Sequence, residues 1–271
     1  MTESDAGSGQ DGGYPLEGGM SLQRPSLPGL VEVPEQGEDV LDLLTADILV
    51  QALDCTHRFG SFHLAISGSE GLDPLCRRMM FDPDLRRFPW DRTHLWIADD
   101  RCVPRNDPLS CYWRLRETLI QPAGIPLPQV HPIPSTEETA DEIVEARIRE
   151  EIDGRSHGAG CLDCIVLDLG QDGRVGGLFP GTEAIMETTR RARFTNSNRQ
   201  DDYPHWVSMT FPAINSARMI AVLAQGPEIG EAIRESIQTS PSTMSFPAAG
   251  LRGDSGILKW YLDLDAARCS V

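Results

Sequence analysis

The sequence predicts an α/β fold, a largely parallel, doubly wound sheet with helices on both faces. Two observations carry this reading. Short apolar runs of strand length alternate with longer stretches of helical periodicity along most of the chain. A glycine-dense turn at 168–182, DLGQDGRVGGLFPGT, follows one of those runs, and such turns place side chains at the carboxyl end of a strand, where open α/β sheets keep their chemistry. The length of 271 residues suits one large α/β domain or two small ones.

Taken in order, residues 1–30 hold seven glycines with serine, proline and acids and little to bury, which predicts a disordered tail ahead of one ordered domain over 31–271. Residues 38–57 space Val40, Leu41, Leu44, Ile48, Leu49 and Leu53 along one helical face. A strand is expected at 62–66, then a short helix at 73–80 capped by Asp73. Residues 94–98 form the next strand and end in Asp99, Asp100 and Arg101. A helix over 110–120, a strand over 130–133 and an acidic amphipathic helix over 136–152 follow. The remaining strands are 164–167, 206–211, 219–223 and 257–262, with Pro212 and Asn215 breaking the chain between the second and third, and a helix over 227–237.

Composition excludes several classes of function. With 41 acids against 24 arginines and lysines the formal charge is -17, so the chain repels phosphate backbones and nucleic acid is not an expected partner. Lys259 is the only lysine, which removes lysine chemistry everywhere else. No apolar run reaches the roughly 18 residues of a membrane span, and the acidic, glycine-rich start does not read as a signal peptide. Seven scattered cysteines favour reduced thiols, hence a cytoplasmic or nuclear protein that is not secreted. No metal and no cofactor are expected: the Cys161/Cys164 pair lacks a second ligand pair, and the six histidines show no clustered spacing.

Three places could carry chemistry. Ser67, Gly68, Ser69, Glu70 and Gly71 lie between a strand and a helix, where backbone N–H groups meet phosphates. A carboxylate from Glu70 in that turn would oppose a phosphate by about 4 kcal/mol at 4 Å in a medium of ε about 20. Asp99 and Arg101, just past a strand, suit either a ligand or a local ion pair. In the glycine-dense turn Asp172 is followed by Gly173 and Arg174, and arginine stays protonated, so Arg174 cannot take a proton from water.

The order of these motifs resembles the 6-phosphogluconolactonase family, related in fold to glucosamine-6-phosphate deaminases. FHLAISG at 62–68 looks like its first glycine-loop strand, and HLWIADDRCVP at 94–104 is similar to its WxxxDERxVP segment. LDLGQDGRVGGLFPGT at 167–182 is similar to GxDGHTASLFPG, VSMTFPAIN at 207–215 to VTLTLPxIN, and ILKWYLDLDAA at 257–267 to the closing strand. The resemblance implies a lactonase fold in which Arg174 stands where the family has its catalytic histidine. It also implies that Ser69, Glu70, Gly71 and Leu72 replace the phosphate loop, Trp206 a clamp arginine and Ile229 a clamp lysine. Val175, Gly176 and Gly177 replace the loop's threonine, alanine and serine, while Asp99, Arg101 and Asp172 survive.

Losing base and clamp together predicts a catalytically inactive member kept as an interaction or scaffold subunit. Its partner would be a protein, a sugar phosphate being disfavoured, and Trp206 would fill the old pocket or anchor that partner. The alternative is an active 6-phosphogluconolactonase or sugar-phosphate lactone hydrolase whose base has moved, to His205 or Asp172. A third reading is a sensor that binds a metabolite without turning it over.

Overall fold

The computed structural model describes residues 24–35, 39–155, 160–197 and 203–271. In chain order the strands are β1 (Leu30–Glu32), β2 (Phe62–Ile66), β3 (Thr93–Ile97), β4 (Asp99–Arg101), β5 (Val130–His131), β6 (Cys164–Asp168), β7 (Ala192–Asn196), β8 (His205–Met209), β9 (Met219–Ala224) and β10 (Ile257–Leu262). The helices are α1 (Val40–Phe59), α2 (Asp73–Phe81), α3 (Cys111–Leu115), α4 (Gln121–Ala123), α5 (Ala140–Ile148), α6 (Phe211–Asn215), α7 (Pro227–Thr239) and α8 (Leu264–Cys269). A π-helical stretch, Arg116–Ile120, joins α3 to α4, and another, Arg149–Asp153, extends α5.

Seven strands form one wholly parallel sheet in the order β1-β10-β9-β6-β2-β3-β5. Every residue of β2 and β9 is buried, as strands covered on both faces must be. From β2 the chain adds strands outward through β3 and β5, and from β6 it adds them the other way through β9 and β10, so the winding reverses between β2 and β6. Open α/β sheets bind ligands outside the carboxyl ends of strands at such a reversal.

α1 buries Val40, Leu41, Leu44 and Ile48 of its expected apolar face, but Leu49 is only half-buried and Leu53 is exposed, the buried stripe running on through Ala52 and Cys55 instead. It starts at Asp39, whose carboxylate accepts the Leu41 N–H at 2.9 Å. It ends at Gly60, which adopts φ 83 and closes the last turn on the Thr56 carbonyl, a left-handed conformation that glycine takes without a Cβ penalty.

Several expectations need correction. Residues 1–23 of the expected tail, Glu38 and His157 lie outside the described residues. Residues 24–30 are not tail: the Trp260 indole donates to the Pro28 carbonyl at 2.7 Å, and Leu30 pairs with Lys259 in the sheet. Asp73 does not cap α2, which begins from a 3-10 turn, Glu70–Leu72, with no side-chain cap. The segment read as one strand over 206–211 leaves the parallel sheet: β8 runs antiparallel between β4 and β7 in a second, three-stranded sheet, and Phe211 opens α6. Single-strand hydrophobicity does not say which neighbour a strand will pair with, and the all-charged β4, expected only as the residues just past a strand, is a strand of its own.

Candidate functional site

A cleft of about 340 Å3 opens at the carboxyl ends of β2, β3 and β6, where the winding reverses. Ser67, Gly68, Ser69, Glu70 and Gly71 reach it from β2, Asp99 and Arg101 from β3 and β4, Asp168 and Arg174 from β6 and its loop, and Trp206 from β8. Ile229 does not reach it: α7 turns that side chain against the core. Asp172 lies behind the loop, beside α7 and Phe246, and is tied to the cleft by its ion pair with Arg174 at 3.3 Å. His205 is exposed on β8 outside the cleft, so it is not placed as a relocated base.

The loop after β6 is built to carry Arg174. Its turn closes when the Gly170 N–H donates to the Arg174 carbonyl at 3.0 Å and the Gly173 N–H to the Gly170 carbonyl at 2.9 Å. Gly173 takes φ +77, and a Cβ there would lie 2.2 Å from the Phe246 ring. Gly176, at φ +56, leaves room beside the Asp99 carboxylate, where a Cβ would sit 3.5 Å from Oδ1.

Asp99 is the least ordinary group in the cleft. Its side chain is almost wholly buried, and Oδ1 meets no hydrogen-bond partner. Burial lifts its pKa to about 7, with the Asp168 and Asp100 charges adding to the rise and Ser67 and Arg174 opposing it. Asp168 is likewise raised by burial, against the pull of Arg174 and the nearby Ser69 hydroxyl. Asp100 is spent on structure. It accepts from Ser110 Oγ at 3.0 Å and from the Cys111 and Tyr112 N–H groups at 2.7 and 3.2 Å, tying β4 to the start of α3. Its pKa, lifted by burial to about 6, is held down by those bonds.

The positive side of the cleft holds an arginine that sequence reasoning passed over. Arg114, on α3, lines the cleft, donating to Glu70 at 2.8 Å and to Asp73 at 3.0 Å. Glu70 therefore does not occupy the β2 turn; its side chain is 84% exposed and swings outward onto Arg114. Gly68 is required by packing, since a Cβ would fall 2.3 Å from that of Cys111. Arg101 donates to the Leu109 carbonyl at 2.9 Å and lays its guanidinium over the Trp206 ring, 4.3 Å from the centroid. Phe179 meets the same indole edge-on at 5.4 Å. Trp206 is thus a buried wall that neither fills the cleft nor offers itself as an exposed anchor. Its indole Nε1 is buried without a partner. Arg114 and Asp168 carry no sequence signal of their own beyond their place at the end of an element, because only the sheet brings them together.

Elsewhere the lone lysine is structural, with Lys259 Nζ 2.7 Å from Asp47 and 3.4 Å from Glu32. All seven cysteines are free, and burial pushes Cys161 and Cys164 above the usual thiol range. Three histidines far apart in sequence do meet. His63, His94 and His131 sit side by side on β2, β3 and β5, with His94 Nδ1 3.0 Å from His131 Nε2 and Trp96 Nε1 3.1 Å from His63 Nδ1. Burial first, then neighbouring positive charge, lowers His131 to about 3 and His63 to about 2, and lowers His94 as well, with Glu151 opposing; all three rings are neutral at neutral pH. Among the described residues no helix is long and apolar enough to cross a membrane.

Comparison with known proteins agrees with the architecture. Residues 35–260 match the family described as glucosamine-6-phosphate isomerases/6-phosphogluconolactonase. The human GDH/6PGL endoplasmic bifunctional protein is 33% identical over 238 residues, 84% of this chain, although the chain spans only 29% of that protein's length. The 6-phosphogluconolactonase of Haemophilus influenzae is 29% identical over 76% of this chain and 86% of its own. The crystal structure of 6-phosphogluconolactonase from Thermotoga maritima superposes with a TM-score of 0.72, covering 86% of this chain and 99% of the other at 22% identity, a likeness of fold. With a cleft at the reversal point of its sheet and a family match running over residues 35–260, this protein belongs to the glucosamine-6-phosphate isomerase/6-phosphogluconolactonase family.

Proposed function

We infer that this chain hydrolyses a phosphorylated sugar lactone, with Asp99 as the general base in place of the missing histidine. The observation that carries this reading is the Asp99 carboxyl: buried at the cleft, free at Oδ1 and titrating at about 7, where a base is both available and strong enough to act. In the reaction Asp99 takes a proton from water as the water oxygen bonds to the lactone carbonyl carbon. The ring C–O bond then breaks, and the proton passes to the leaving ring oxygen, giving the open-chain acid.

Charge supports the rest of the assignment. Arg174 sits beside both carboxylates and suits the developing oxyanion. Arg114, beside the β2 turn, suits the phosphate, and Arg101, held flat on Trp206, forms the wall against which the sugar lies. The family's named lactonases favour the same reading.

The inactive-scaffold reading draws its support from Arg174, which cannot accept a proton. An open cleft lined by two carboxylates with raised pKa values supports hydrolysis better. Purified protein is assayed against 6-phosphogluconolactone with spontaneous hydrolysis subtracted. Turnover well above background supports the hydrolase, whereas a rate equal to background returns the chain to a scaffold role and directs attention to co-purifying protein partners.

A further inference from the structure

We propose that His94, His131 and Glu151 bind one divalent transition-metal ion of the zinc class at a second site, at the opposite end of β3 from Asp99. One ligand atom from each residue lies within 4.8 Å of the other two. His94 and His131 come from neighbouring strands of the sheet, and Glu151 descends on them from the π-helical extension of α5. A π turn inserts an extra residue into a helix and re-aims the side chains that follow it, which is how such turns come to serve sites.

The donor set suits the ion. Two imidazoles and a carboxylate are borderline donors that prefer zinc-like ions to magnesium or calcium. Two nitrogens on a tetrahedral ion at the usual bond length stand roughly 3.3 Å apart. His94 Nδ1 and His131 Nε2 are 3.0 Å apart, so a small opening of the pair admits the metal. One ring donates that hydrogen bond. On metal binding that proton moves to the ring's other nitrogen, and the Glu151 carboxylate offsets one of the two charges of the ion.

The surroundings hold the rings in place and leave a position open. Trp96 stacks on the His131 ring at 3.9 Å between centroids and fixes its plane, and His63 stacks on His94 at 4.4 Å. His131 and Glu151 both line a hollow of about 510 Å3, so a water can complete the coordination. Of the cations whose charge acts on the two rings, Arg147 donates to the Pro132 carbonyl at 3.0 Å, and Arg155 to Asp163 and the Ser61 carbonyl at 3.0 and 3.1 Å, while Arg105 lines the same hollow. Since β5 is the two-residue edge of the sheet, a metal joining it to β3 and the end of α5 would pin that edge.

The test uses the full chain, freed of metal by chelator and titrated with Co2+ under visible spectroscopy, then with competing Zn2+. The expected result is one Co2+ per chain, ligand-field absorption of a four-coordinate nitrogen/oxygen site that Zn2+ abolishes, and a thermal midpoint raised by about 5 °C at saturating Zn2+. His131→Ala should abolish uptake. Glu151→Gln, a neutral and nearly isosteric change on a partly exposed turn, keeps the fold and should weaken binding at least tenfold. Absence of uptake by the unaltered chain, equal uptake by both variants, or a sulfur-to-cobalt charge-transfer band assigning the metal to cysteine would each overturn the proposal.

Discussion

Asp99→Asn separates activity from stability in a way that only a buried base explains. The substitution keeps the shape and removes the charge and the basic lone pair. A general base is worth about 10²- to 10⁴-fold, so kcat/KM for the lactone should fall by at least 100-fold. In the parent protein, kcat/KM should rise with pH and level off above about 7, the value at which the buried carboxyl ionises. Stability should move the opposite way. The folded carboxyl titrates at about 7 against an ordinary value of 3.8, so the folded chain holds a proton that the unfolded chain has already lost between those limits. That advantage is complete below pH 3.8 and is lost as the pH rises through 7. A displacement of about three units corresponds to a penalty of order 4 kcal/mol at pH 8, which asparagine does not incur. Relative to the parent, Asp99→Asn should therefore gain of order 4 kcal/mol between pH 4 and pH 8, read by urea unfolding at each pH. Activity within threefold of the parent, or a stability difference that does not change with pH, would refute both the assigned base and its burial.

Arg174→Met removes the cation that holds Asp99 down, so the acid limb of the pH–rate profile should shift to higher pH; an unmoved limb would show that Arg174 does not act on Asp99. Asp163 is fully buried and takes Arg155 at 3.0 Å, Arg218 at 3.1 Å and the His63 N–H at 2.8 Å, so Asp163→Ala strands two guanidiniums and should cost about 3–5 kcal/mol in urea unfolding. Gly173→Ala places a Cβ at φ +77 against Phe246, and should lower both thermal midpoint and turnover by displacing the loop that carries Arg174. Glu70→Gln loosens the hold on Arg114 and should lower KM for the phosphorylated lactone without raising kcat; an unchanged KM would remove Arg114 from phosphate binding.

The class of the fold and most of its elements are legible in the sequence, because period and end signals are local. The apolar face of α1, the five-residue runs of β2 and β6, and the glycine turn after β6 follow from residues adjacent in the chain. The sequence also shows that no histidine stands in the loop and that Arg174 cannot be a base. What it could not decide is anything that depends on which elements meet. Ile229 and Trp206 were placed together as a former clamp, yet α7 turns one into the core while β8 makes the other a wall under Arg101. Glu70 was read as blocking its own turn until α3 supplied Arg114 to draw it out. Asp99 stands out in sequence only as an acid suited to a ligand or an ion pair, and its basicity arises only when the Gly176 loop, Asp168 and the sheet remove it from water. His94, His131 and Glu151 were likewise scattered until strand pairing and a π turn gathered them. Secondary structure is written in short-range periodicity, whereas pKa values, cavities and ligand sets come from desolvation and charge among residues distant in the chain, which only packing brings within a few ångströms.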